Sequence, residues 1–161
     1  MNEETFSEVY DESVICHEKI WRLMSDFHDA SKDGAEITSN EAEFYLDDVS
    51  NVMKKSVEFL VSKYSKEGDP RTMDPELYIY CAGVNETVSR LGEFKEFTIT
   101  SGPVVEDMDG FLKNISEIGM KLLDVQEQLV DENAPMEVRE QLLAKVEDRR
   151  ASIRVENSMT K

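Results

Sequence analysis

The sequence predicts an all-α fold, an elongated antiparallel bundle of four to five helices with coiled-coil-like packing. Apolar residues recur every three or four positions over most of the chain, which is the spacing of a helix that buries one face. Glycine and proline together account for only 11 of the 161 residues, and 33% of the residues are charged, a composition that favours long solvated helices. We expect a single domain over residues 1–154, with a frayed tail over 155–161.

The first helix is predicted over residues 4–31. It has two neighbouring apolar series, and a stripe of that width indicates a helix covered on more than one side. We therefore expect it at the centre of the bundle. The first series is Phe6, Val9, Cys16, Ile20, Leu23 and Phe27, and the second is Tyr10, Val14, His17, Trp21, Met24 and His28.

The second and third helices are predicted over residues 41–66 and 75–91. Thr38 and Glu41 form a capping box at the start of the second helix. Asp74 is the predicted N-cap of the third helix, which Gly92 is expected to end. Residues 97–100, with the sequence FTIT, are predicted to be an extended linker because a single short strand has no partner.

The fourth and fifth helices are predicted over residues 103–132 and 135–154. Between residues 104 and 129 the fourth helix has apolar positions that alternate steps of four and three, which is the pattern of a coiled-coil seam. This seam can pack inside one chain or between two chains, so a homo-oligomer is possible. The seam consists of Val104, Met108, Phe111, Ile115, Ile118, Leu122, Val125 and Leu129.

The charge is strongly asymmetric along the chain. There are 35 acidic and 18 basic side chains, a net charge of −17, whereas the last 29 residues hold five acids and six bases. An acidic body repels nucleic acid phosphates, so we expect no direct nucleic acid contact and a protein partner with a basic surface. Arg149, Arg150 and Arg154 are a candidate basic patch for a partner; alternatively, they pair with acidic helices of the same chain.

No motif predicts catalysis or a cofactor. The chain has neither a glycine-rich phosphate loop nor a nucleophile elbow, and paired carboxylates are uninformative in so acidic a sequence. Cys16 and Cys81 lie within apolar helical patterns, which favours buried, reduced thiols. An acidic start without an apolar stretch, and the absence of any membrane span, predict a cytoplasmic location without membrane contact.

In the connection between the first two helices, over residues 29–41, side-chain oxygens occur at Asp29, Ser31, Asp33 and Glu41. This connection resembles the calcium loop of EF-hand proteins, with the first three of these residues at the first three ligand positions and Glu41 closing the loop. Calcium prefers such oxygen ligands wrapped around a sharp turn. However, the loop has thirteen residues rather than the twelve of an EF-hand. A polar helix connection is the preferred interpretation, and a calcium-binding helical protein is kept as an alternative.

In the segment from residue 49 to 97, Arg71 follows the Gly68–Pro70 turn and Glu76 lies at the start of the next predicted helix. With these two residues the segment resembles the central helical hairpin of small terminase subunits of tailed phages. This resemblance implies a ring-forming subunit of a DNA-packaging machine. It is a second alternative.

In size and charge the chain is also similar to small acidic inhibitors encoded by phages and plasmids. That resemblance is one of composition and implies mimicry of DNA. The sequence as a whole therefore predicts a non-catalytic adaptor or inhibitor that binds a basic macromolecular partner, with DNA mimicry as a more specific possibility.

Overall fold

The structure, a computed structural model, describes the backbone of residues 1–100 and 102–158 and the side chains of residues 1–98 and 102–154. Within these ranges there is no strand, and none of the helices has a stretch long and apolar enough to cross a membrane. The predicted all-α bundle is confirmed. The helices are α1 (Glu3–Lys32), α2 (Ser39–Tyr64), α3 (Pro75–Thr100), α4 (Met108–Asn133) and α5 (Met136–Ser158), with a 3-10 turn at Pro70–Thr72.

Consecutive helices run in opposite directions. Glu8 near the start of α1 accepts a hydrogen bond from Lys63 near the end of α2, whereas Lys19 pairs with Asp48 further along α1. Helix α2 packs on α3, α3 on α4, and α4 on α1, which closes an up-down-up-down four-helix bundle. Helix α5 packs along α4 and also contacts α1, so it lies over the groove between them.

Helix α1 buries both of its predicted apolar series because it contacts α2, α4 and α5. Tyr10 and Trp21 of the second series are partly buried against the same core. The fully buried members of the two series are Phe6, Val9, Cys16, Ile20, Leu23, Phe27, His17, Met24 and His28.

The seam of α4 packs inside the chain. Phe111 of this helix lies against the rings of Phe27 in α1 and Phe94 in α3, with centroids 5.2 and 5.1 Å apart. The seam is therefore the central contact of the bundle, facing α1 and α3. Its buried members are Phe111, Ile115, Ile118, Leu122 and Leu129.

The predicted end of the third helix at residue 91 and the extended linker over 97–100 are wrong. Helix α3 continues through Gly92 to Thr100. The buried Thr98 hydroxyl donates a hydrogen bond to the Phe94 carbonyl oxygen one turn earlier, at 3.0 Å. This bond satisfies the hydroxyl within the helix, and burial of Thr98 against the bundle outweighs its weak helix propensity.

Two other predicted boundaries also differ from the structure. Helix α4 begins at Met108 rather than at residue 103, because Asp107 caps it by accepting a hydrogen bond from the Gly110 N–H. Helix α5 continues to Ser158, so residues 155–158 are helical and not part of a frayed tail. The last three residues of that predicted tail, 159–161, lie outside the described range.

The loops before α2 and before α4 meet at one end of the bundle. Thr38 and Val104 form an isolated antiparallel bridge. The Val105 N–H donates to the Ile37 carbonyl at 2.8 Å, and the Ser39 N–H donates to the Pro103 carbonyl at 2.9 Å. The segments 26–45 and 93–109 are thereby brought to the same end.

Candidate interaction surface

The negative charge of the protein is concentrated at the two ends of the bundle. We call residues 26–45 and 93–109 the first pole; they contain eleven acidic and two basic side chains, a net charge of −9. We call residues 1–4, 64–79 and 129–141 the second pole; they contain ten acidic and three basic side chains, a net charge of −7. Antiparallel packing thus gathers acids that are distant in sequence.

The waist between the poles is almost neutral. The described residues between them, 5–25, 46–63, 80–92, 110–128 and 142–154, hold 13 acidic and 12 basic side chains, a net charge of −1. The 26 residues of α2 span about 39 Å at 1.5 Å per residue, which is several times the Debye length of about 8 Å at physiological salt. A charged partner therefore experiences each pole separately.

Exposed aromatic side chains lie among the carboxylates of the first pole. Phe44 and Phe97 are 69% and 68% exposed, and Tyr45 is 38% exposed. The Tyr45 ring makes edge contacts with Phe44 and with buried Phe27, at centroid distances of 5.8 and 5.2 Å. These contacts tie the exposed ring of Phe44 to the core, so it is held in place at the surface.

Sequence reasoning missed these aromatic side chains. The available signal was their position relative to the buried stripe of α2: Phe44 and Tyr45 directly precede Leu46 and fall outside the spacing of Leu46, Val49 and Met53. Phe97 lay in a segment predicted to be a linker, so its place on a helix could not be assigned.

Arg150, a residue of the predicted basic patch, is buried in the protein. It is 7% exposed and donates hydrogen bonds to Asp124 at 2.7 Å and Glu127 at 2.6 Å, and also to Glu147. The bond to Glu127 is the main cause that raises the pKa of Arg150, and the same bond lowers the pKa of Glu127. This arginine therefore joins α5 to α4.

Arg149 is likewise engaged within the chain. Its guanidinium donates to the Tyr10 hydroxyl at 3.0 Å and to the Gln126 side-chain oxygen at 2.9 Å, and it lies 5.6 Å from the Tyr10 ring centroid. Burial, followed by the nearby Arg149 charge, lowers the pKa of His17 to about 4. Of the three predicted patch residues, Arg154 alone is exposed.

The structure places the calcium-loop residues on two helices and the turn between them. Asp29 and Ser31 belong to the last turn of α1, and Asp33 is its C-cap. Thr38 caps α2 by accepting a hydrogen bond from the Glu41 N–H at 3.0 Å, as the capping box predicted. Nowhere in the described part of the chain do three or more His, Cys, Asp or Glu side chains form a group that could hold a metal ion.

Arg71 and Glu76, the residues of the terminase-like segment, lie at the second pole. Arg71 donates through Nε and Nη2 to the two carboxylate oxygens of Asp69, at 3.1 and 3.0 Å. Glu76 is in the first turn of α3. The segment does form a helical hairpin, and in it the arginine is bound to its own turn.

Both cysteines are free and buried. Burial raises the pKa of the Cys16 thiol and of the Cys81 thiol to about 11 in each case. Because the thiolate is the reactive form, these thiols are suited to packing rather than to nucleophilic chemistry at neutral pH.

No protein-family model, curated protein or solved structure matches the chain. The first pole combines high negative charge with two exposed phenylalanine rings, of which Phe44 is held in place by Tyr45. Such a surface can attract a cationic partner over a distance and retain it through apolar contact.

Proposed function

We propose that this protein is a non-catalytic interaction protein, an adaptor or inhibitor, which binds the basic surface of a macromolecular partner. The binding site is the first pole. The single observation that supports this most strongly is the position of Phe44 and Phe97, two largely exposed phenylalanines at the end of the bundle with a net charge of −9.

The acids of the first pole supply attraction at a distance. The pole has two basic residues, Lys32 and Lys95. Lys95 is bonded to Asp47 at 2.8 Å, which offsets its positive charge. A field of this sign raises the association rate of a basic partner and weakens as salt increases. It also repels acidic competitors, which gives selectivity.

The aromatic rings supply the contact that stabilises the bound state. Exposed ion pairs each contribute on the order of 0–1 kcal/mol, so charge alone makes a weak complex. Burial of an aromatic ring of about 150–250 Å² at an interface contributes considerably more. Phe44 and Phe97 are therefore the expected anchors, and the carboxylates form the rim.

DNA mimicry is the narrower form of this proposal. It requires a row of negative charge along one face of the molecule, as phosphates line a DNA duplex. The nearly neutral waist separates the two acidic ends, which favours a partner that contacts one pole. A partner that contacts the protein along its entire length would instead depend on carboxylates of the waist.

The test is affinity capture from an extract of the source organism at low salt and at about 0.3 M salt. The immobilised full chain is compared with a first-pole variant containing Glu36→Lys and Glu106→Lys, and with a Phe44→Ser variant. The matched control contains Glu58→Lys and Asp148→Lys, two exposed positions of the waist with the same change in charge.

The proposal predicts a protein that is retained at low salt, is released at high salt, and is lost from both first-pole variants but not from the control. A partner captured equally by wild type and first-pole variants would contradict it. If the waist control loses the partner as completely as the first-pole variants do, the partner reads the whole length and the DNA-mimic form is the correct one.

A further inference from the structure

A second surface lies at the opposite end of the bundle, in a groove between the first turns of α3 and the last turns of α4. We call it the α3–α4 groove. It has a volume of about 350 Å³, and its apolar lining includes Tyr78, Ile79, Val125 and Leu129. Tyr78 and Ile79 are 46% and 49% exposed, so the apolar wall on α3 is open to solvent.

The charged side chains that line the groove are all carboxylates, and the N-terminal amino group of Met1 lies 3.6 Å from the carboxylate of Glu76. Glu76, Glu86 and Glu132 line it, together with the side-chain amides of Gln128 and Asn133. No lysine or arginine is among the described residues that line it. Glu86 pairs with Arg90 outside the groove, at 3.2 Å. An apolar floor with a carboxylate rim complements a ligand that is apolar on one side and cationic at its edges.

Helix α5 is an example of a helix that packs on the outside of the four-helix bundle. On the other side of α4, α5 buries Val146 and Ile153 in the core. It is held at the edge by Arg150, which bonds to Asp124 and Glu127 of α4. The α3–α4 groove offers the same combination, apolar side chains beside glutamates, and α5 does not cover it.

We propose that the α3–α4 groove binds an arginine-bearing amphipathic helix of a partner protein. The groove spans residues 76–86 of α3, a length of about 16 Å or three helical turns. Leucine-like side chains of the ligand pack on exposed Ile79 and partly buried Val125. Its arginines bond to Glu132 and, in exchange with Arg90, to Glu86, as Arg150 bonds to α4. This goes beyond the proposed function because it concerns a different surface and names one class of ligand.

The experiment uses the full chain and a synthetic amphipathic peptide of about 18 residues, long enough to form a helix. Its leucines are spaced by three and four residues, with arginines along both edges; a control peptide has glutamates in place of the arginines. Affinity is measured by fluorescence anisotropy, and the site is located by amide chemical-shift changes.

Two variants block the groove in different ways. Ala82→Trp fills it with a large side chain, and Glu132→Lys reverses one charge of its rim. The matched control is Ala144→Trp on the exposed side of α5, and circular dichroism verifies that each variant is folded. We expect Ala82→Trp to weaken arginine-peptide binding by about tenfold or more, Glu132→Lys to weaken it by several-fold, and Ala144→Trp to leave it within about twofold.

The result that supports the proposal is binding of the arginine peptide, but not the glutamate peptide, with shifts confined to residues 76–86 and 125–133. Failure to bind at millimolar peptide, or equal binding to Ala82→Trp and wild type, overturns it. The first-pole variant with Glu36→Lys and Glu106→Lys should bind the peptide like wild type. If that variant loses the peptide, the ligand uses the first pole, so the groove proposal fails while the proposed function stands.

Discussion

The side-chain amide of Gln126 in α4 donates a hydrogen bond of 2.7 Å to the hydroxyl of Ser13 in α1, and both residues are buried. The same glutamine accepts a hydrogen bond from Arg149 of α5 at 2.9 Å. One side chain therefore joins three helices. Because Gln126 and Ser13 are buried, this polar contact favours one alignment of the helices over alternatives that would leave the groups unpaired.

The first prediction concerns this glutamine. Gln126→Ala leaves the Ser13 hydroxyl without its donor and removes one of the two acceptors of Arg149, so the free energy of unfolding should fall by about 2–3 kcal/mol. Urea denaturation provides the measurement. Gln141→Ala on the exposed side of α5 is the matched control and should change stability by less than about 0.5 kcal/mol. Equal effects of the two substitutions would show that the buried bonds contribute nothing.

The second prediction concerns the ion-pair cluster of Arg150. Arg150→Met retains an apolar stem but removes the ion pairs to Asp124 and Glu127, whose carboxylates are 60% and 45% exposed and stay solvated. We therefore expect a loss of about 1–2 kcal/mol in unfolding free energy. Arg150→Lys should recover a part of this loss, because an ammonium keeps the charge but lacks the fork of donors. Exposed Arg154→Met serves as the control, with an expected change below about 0.5 kcal/mol. If the ion-pair cluster does not contribute to stability, the Arg150→Met and Arg154→Met variants will have the same melting temperature.

The arrangement of α5 could be anticipated from the sequence only in part. Arginines of the last helix were expected either to form an exposed patch or to pair with acidic helices of the chain, and Arg150 does the latter. The choice depends on which side of α5 faces α4, and that rotation is set by burial of Val146 and Ile153. A short apolar pattern in a highly charged helix does not determine the rotation.

Helix α3 illustrates a different limit. Residues 97–100 are rich in β-branched side chains, and Gly92 precedes them, so local propensity favours an end of the helix. Packing of Leu91 and Thr98 into the bundle outweighs this preference, and both are buried. The apolar spacing in α1 and α4 predicted those helices well because the same signal continues without interruption over many turns.

The third prediction concerns pH. The pKa of His17 is about 4 in the folded protein and about 6.5 in an unfolded chain. The unfolded chain therefore takes up a proton at higher pH, so stability is fully present above about pH 6.5 and is lost as the pH falls toward 4. The difference between the two pKa values corresponds to at most about 3 kcal/mol.

His17→Leu tests this effect, because it removes the titrating group but keeps an apolar side chain of similar size. Carboxylates of the acidic chain titrate in the same range, so the relevant quantity is the difference in unfolding free energy between variant and wild type. Urea denaturation at several pH values should show that the variant gains stability relative to wild type from pH 7 to pH 4. A difference that is constant over this range would mean that His17 does not contribute to the pH dependence.

The fourth prediction contrasts two glycines of α3. A Cβ atom at Gly83 would lie 2.8 Å from Val125 Cγ2 and 3.0 Å from its Cγ1, whereas one at Gly92 would meet nothing within 4 Å. Alanine is favoured over glycine within a helix by about 1 kcal/mol. Gly92→Ala should therefore raise the melting temperature, and Gly83→Ala should lower it, because overpacking costs about 1–3 kcal/mol.

Val125 provides a test of the cause. Its branched side chain has one preferred rotamer in a helix, so it cannot turn away from an added methyl group at Gly83. In a double-mutant cycle, Val125→Ala should remove the clash, and combining it with Gly83→Ala should destabilise by less than the sum of the single changes. Thermal unfolding of the four proteins measures the coupling. Strict additivity would imply that α3 is free to move away from α4 at this point, and that the close contact does not define the spacing of the two helices.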